Sequence, residues 1–154
     1  MVSSRDEYGH SFLFADIAMK APAAFMEVAE RSADSAELAN TNSFPEVGAF
    51  LAYHSFESIG GAWCTHLGRT ALQFGKLKHF DKLTAFVKEA RGFAFEHHAS
   101  ALAIKVGSQR NDFLYPKSDG AGGHITPRMI RNPSEVTRII AEVRGLFRRV
   151  KRQL

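Results

Sequence analysis

The chain has 154 residues, 45% hydrophobic and 23% charged, which suits about one domain with a single real core. Its formal net charge of +4 and pI near 9.4 admit an acidic partner, although much of the excess sits in the last helix. A lone cysteine, Cys64, excludes an internal disulfide framework and fits a reducing cytoplasm, and no apolar run is long enough to span a bilayer.

Residues 1–20 admit two readings, a short helix from Ser11 or an arm packed on a neighbour. The run Phe12-Leu13-Phe14-Ala15 is broken by Asp16 and follows Arg5, Asp6 and Glu7, so it does not read as a signal peptide. Pro22 suits a helix first turn, and Phe25, Val28, Ala29, Ser32, Ala36 and Ala39 outline one face as far as about Leu38. Asn40-Thr41-Asn42 reads as a turn, and Ser43-Phe44-Pro45-Glu46 as a capping box. The helix that follows, to about Leu67, is apolar on more than one side and should be central. Gly60 and Gly61 interrupt it, which predicts close packing against another backbone.

His66 to Gly75 covers a helix end and a connection. Leu77, Phe80, Leu83, Val87 and Ala90 mark the next helix, with Gly92 suited to its C-terminal cap. Phe95, Ala99, Leu102, Val106 and Phe113 then mark another, ended by Pro116, which disfavours the α conformation at Tyr115. Residues 116–131 hold two prolines and three glycines and read as a loop. Asn132-Pro133-Ser134-Glu135 opens the last helix with a second capping box. Its apolar stripe runs from Val136 to Val150, and Arg148, Arg149, Lys151 and Arg152 form a basic tail. The expected class is all-α, a single domain of residues 1–154. It divides into a four-helix core over 22–116 with an N-terminal addition, a Gly/Pro loop over 117–131 and a basic amphipathic helix over 132–154.

Arg110 falls on or beside the buried stripe of its helix, where an unpaired charge is costly. Arg110, Asn111 and Tyr115 can form a phosphate-binding guanidinium beside a polar or acid–base group, or else a helix-end ion pair with a packed phenol. Glu57 stands on the most apolar helix, so a cation should meet it, with Arg110 and His79 the candidates. His54 and Glu57 share a face at metal-ligand spacing. A di-iron bundle needs Glu-x-x-His on two helices, and that spacing occurs at Glu7 and His10 alone, so no metal or other cofactor is expected. The segment Asp119 to His124 has neither the preceding strand nor the Lys-Ser/Thr of a phosphate loop; His124 is a remote candidate for reaching the site. The basic tail suits RNA phosphates, and equally a solvated helix end.

The Arg110-Asn111 sequence closing a penultimate helix, with Tyr115 at the His or Tyr position, resembles the Arg-Asn-x-x-x-(His or Tyr) end of the HEPN superfamily. More narrowly, Ser55 to Ala62 resembles the Glu-Glu-(Leu/Ile)-Gly-Lys-Ala stretch of AbiV-type abortive-infection proteins. His79-Phe80-Asp81-Lys82-Leu83 resembles their His/Lys stretch, and Arg110-Asn111-Asp112-Phe113-Leu114-Tyr115 their Arg-x-x-x-Leu-Tyr. The matches run in order from about Pro22 to Leu154. The resemblance implies a HEPN fold, often a homodimer whose Arg-bearing helix ends line one cleft. It further implies a metal-independent ribonuclease or toxin-like protein of phage defence or a toxin–antitoxin pair, acting on RNA in the cytoplasm and held by a cognate antitoxin or partner protein.

Carried onto this chain, the resemblance gives Arg110, Tyr115, Glu57 and His79 as catalytic residues, and Asn111, Asp112, Lys82 and His54 as binding residues. The motif His is replaced by Tyr115, a poor base at neutral pH, so His79 or Glu57 has to act as base. The alternative is a non-catalytic helical module that binds a nucleotide, RNA or a protein. On the catalytic reading, the helix ends near Phe113 or Leu114, and Tyr115 turns back to share a concave surface with Arg110.

Overall fold

The computed structural model describes residues 20–130 and 132–154, and of Ile130 the backbone alone. The readings made for residues 1–19, including the Glu7–His10 spacing, lie outside the described residues. The fold is all-α. Its helices are α1 (Ala21–Thr41), α2 (Pro45–His66), α3 (Ala71–Gly75), α4 (His79–Glu89), α5 (Glu96–Gly107), α6 (Pro127–Ile130) and α7 (Pro133–Lys151). A 3₁₀ turn, Arg110–Phe113, follows α5.

The α2 helix is the hub. It packs along α1 and also against α4, α7 and the 3₁₀ turn. Its residues from Ala52 to Cys64 are buried except for His54, so both sides of the helix face protein. Small residues permit the close approach. A Cβ on Gly48 would stand 2.9 Å from the Ala36 carbonyl oxygen of α1. Gly60 and Gly61 instead admit side chains, the rings of Phe86 and Phe25, which a Cβ would meet at 3.0 and 2.7 Å. The expected backbone contact therefore belongs to Gly48 and not to the Gly60-Gly61 pair. The Ser55 hydroxyl donates to the Ala29 carbonyl oxygen at 2.7 Å, and the Trp63 indole N–H to the Glu89 carbonyl oxygen at 2.9 Å. The buried Ser55 hydroxyl and Trp63 indole are thus satisfied from α1 and α4.

Helix starts differ from the sequence reading in instructive ways. No capping box forms at Ser43, because Ser43 takes a left-handed φ of 67° and Phe44 is the N-cap without a side-chain hydrogen bond. A full box forms at Thr70–Gln73, where a connection was expected, and it starts the five-residue α3. At α7, Asn132 caps the Ser134 N–H and Pro133 takes the first turn. The stripe from Val136 to Val150 is buried as its spacing requires.

The segment expected to be a featureless loop holds a two-stranded antiparallel ladder, β1 (Lys117–Ser118) with β2 (His124–Ile125), followed by α6. Two-residue strands are too short to show alternation in sequence. Asp119 organises the turn, its Oδ1 accepting from the amides of Ala121 at 2.8 Å and Gly123 at 2.9 Å. No helix among the described residues is long and apolar enough to cross a membrane.

Candidate functional site

On α2, Tyr53 and Glu57 lie four residues apart and therefore on one face. The first turn of α4 brings His79 and Lys82, three apart, against that face. His79 Nδ1 lies 2.7 Å from Glu57 Oε2, and Lys82 Nζ lies 2.9 Å from Glu57 Oε1. Both carboxylate oxygens are engaged, and Glu57 is 7% exposed. Burial alone would push its carboxyl upward, but the hydrogen bonds from His79 and Lys82 outweigh that and hold it below the usual carboxylate range. A carboxylate only accepts, so His79 Nδ1 carries the shared proton and Nε2 is the nitrogen left for other partners.

Arg110 comes to the same place from the other side. The α5 helix stops at Gly107, and the chain continues through Ser108 and Gln109 into the 3₁₀ turn. Phe113 anchors that turn in the core. The Arg110 guanidinium carbon then lies 5.8 Å from the centroid of the Tyr53 ring, a cation–π contact. His79 also lies against this ring, with centroids 6.5 Å apart at 65°. Arg110 Nε is buried and has no hydrogen-bond partner among the described residues. Tyr53, His79, Phe80, Arg110 and Asn111, with Leu83, Gly107 and Ser108, line a cleft of about 200 Å³. Burial and the Glu57 charge push the Tyr53 phenol up to about 12, with Arg110 opposing, so it stays protonated near neutral pH.

Three of the site residues inferred from sequence, His79, Arg110 and Asn111, line this cleft. Glu57 and Lys82 stand behind it, bonded to one another and, through Glu57, to His79. His54 is exposed, about 100° round the helix from Tyr53, and does not join them. Asp112 forms an ion pair with Lys117, tying the turn to the β-ladder. His124 is exposed on β2 and is not among the lining residues.

Tyr115 is the main correction. It is 59% exposed and does not line the cleft, so it and Arg110 do not share the expected concave surface. The α-helix ends at Gly107, earlier than the proline required, and a 3₁₀ turn over Arg110–Phe113 precedes Tyr115. The phenol in the cleft is Tyr53, a buried residue of the helix that the sequence marks as apolar on more than one side. Its spacing of four from Glu57 was the available signal. The apolar face expected on α4 also needs correcting: Leu83, Phe86 and Ala90 are buried, while Phe80 is 74% exposed at the cleft rim. Among the described residues, no group of three or more His, Cys, Asp or Glu side chains converges as metal ligands would.

Comparison of the chain with protein-family models, with curated proteins and with solved structures finds no match.

Proposed function

We propose that this chain is a HEPN-like, metal-independent ribonuclease of the toxin or phage-defence kind, with His79 taking the part of the missing motif histidine. One observation carries the reading: an imidazole anchored by a buried carboxylate lines the same small cleft as an Arg whose Nε has no partner among the described residues. The Glu57 carboxylate fixes the ring orientation and favours the proton on Nδ1. In the proposed reaction, neutral His79 takes the proton of a 2′-hydroxyl at Nε2. The 2′-oxygen bonds to phosphorus, the bond to the 5′-oxygen breaks, and water protonates the departing 5′-oxygen. Arg110 donates to the non-bridging oxygens as their charge grows, and Asn111 at the rim adds a neutral donor. Glu57 and Lys82 are positioning residues here, since neither lines the cleft.

The purified chain, incubated with single-stranded RNA in the presence of a chelator, should leave 2′,3′-cyclic phosphate ends. His79→Ala and Arg110→Ala should each slow cutting about 100-fold or more, while Tyr115→Phe should cut like the parent. Equal cutting by the Arg110→Ala protein and the parent would sink the assignment. A binding-only reading has its own support: the Tyr53 phenol of the cleft, pushed up to about 12, is not suited to donate a proton at neutral pH. RNA binding that depends on Arg110, without any cutting, would select it.

A further inference from the structure

A groove between α4 and α5 lies beside the candidate site. It encloses about 700 Å³, within the range of small-ligand sites. Phe80, Leu83, Gly107 and Ser108 line both the groove and the smaller cleft, so the two spaces are adjacent. Leu83, Val87, Ala103 and Ile104 make its lining mainly apolar. Lys88 and Arg91 also line it, and no carboxylate among the described residues does. At its rim Phe80 and Ile104 are 74% and 77% exposed.

We infer that this groove seats the nucleobase flanking the phosphate held by Arg110. Phe80 is its stacking platform, and Lys88 and Arg91 meet a neighbouring phosphate of the same strand. The inference rests on the phosphodiester reading of the His79–Arg110 cleft and names its substrate class, single-stranded RNA. A single strand alternates charged phosphates with flat apolar bases. The surface alternates in the same way: Arg110, then Phe80 with Val87 and Ile104, then Lys88 and Arg91. Duplex bases are stacked on one another and cannot offer a face to Phe80, whereas an unpaired base can. Every base has a π-face, so the platform selects strandedness and tolerates sequence.

The test uses the full chain in chelator and a fluorescein-labelled 2′-O-methyl oligoribonucleotide, which lacks the attacking hydroxyl and stays intact. Fluorescence anisotropy reads the affinity. Phe80→Ala should weaken binding about tenfold and Phe80→Trp should retain it. The Phe80 side chain is largely exposed, so both variants should keep the parent urea midpoint. An abasic linker moved along the strand should, at one position, cost the parent about the same tenfold and the Phe80→Ala protein nothing further. The same sequence as a duplex should bind more weakly than the single strand.

Unchanged affinity in Phe80→Ala, or equal abasic losses in both proteins, would overturn the inference. So would a Phe80→Ala chain that changes from dimer to monomer in sedimentation while its oligonucleotide affinity holds, since the groove would then be a contact between copies. Phe80-dependent binding without any cutting would uphold this subsite and remove the nuclease reading. Cutting lost in Arg110→Ala, with Phe80→Ala indifferent in both assays, would do the reverse.

Discussion

Glu57 gathers two basic side chains onto one buried carboxylate, whereas Arg144 gathers two carboxylates onto one half-exposed guanidinium. The first cluster joins α2 to α4, with bonds of 2.7 and 2.9 Å to His79 and Lys82. The second joins α7 to α1, with bonds of 2.7 and 2.8 Å to Asp34 and Glu37. The distances match, but the surroundings do not. Around Glu57 little water can replace a lost partner, so each carboxylate oxygen has to find a donor within the protein. Asp34 and Glu37 are exposed, and water can take over their bonds. Equal bond lengths therefore do not mean equal contributions to stability. The signs differ as well. The inner cluster places basic groups beside a cleft that also holds Arg110, while the outer cluster sets two carboxylates against one cation.

The largest effect should come from Glu57→Ala. It removes the acceptor shared by His79 and Lys82 and leaves Lys82 mostly buried without its partner. We expect a loss of about 3 kcal/mol, at the low end for a broken buried pair because half-exposed His79 can turn to water. A fall in the urea midpoint at constant slope would measure it. A loss below that of Arg144→Ala would reverse the comparison.

A pH series sharpens the contrast. The Glu57 carboxyl is lower in the folded chain than its ordinary value of 4.5. Above that value the folded and unfolded states are both ionised, and its stabilisation is complete. As the pH falls below about 4.5, the unfolded chain takes up the proton first, and the contribution is lost down to the folded pKa. Glu57→Gln should therefore flatten the acid limb of a midpoint-against-pH curve below about pH 5. An unchanged limb would show that Glu57 is not ionised and paired in the folded chain.

Arg144→Ala should be the mildest change. An exposed ion pair is worth about 0.2–1 kcal/mol, and the difference from the parent should shrink in high salt as screening weakens it. A salt-independent loss above about 2 kcal/mol would place Arg144 in the same class as Glu57.

Local periodicity determined much of this molecule. The stripe of α7, the buried positions of α5 and the all-round burial of α2 follow from a repeat of 3.6 residues, which belongs to the chain itself. The burial of Glu57 followed too, because an acid within such a run has little water to face, and His79 was one of the two cations expected to meet it. Tertiary structure decided which second cation would come. Lys82 reaches Glu57 because α4 lies against α2 with its first turn rotated toward that carboxylate, while Arg110 goes to the Tyr53 ring. It also decided which phenol lines the cleft. The proline after Tyr115 set a latest point for the helix end, but the α-helix stops at Gly107 and gives way to a 3₁₀ turn, and α2 supplies Tyr53 from far away in sequence. Phe80 shows the same limit: spacing put it on an apolar face, yet the pairing of His79 and Lys82 with Glu57 fixes the turn and leaves the ring at the rim. Spacing within one helix tells which side chains travel together; the angle at which helices meet tells what they touch, and that depends on the whole packed core.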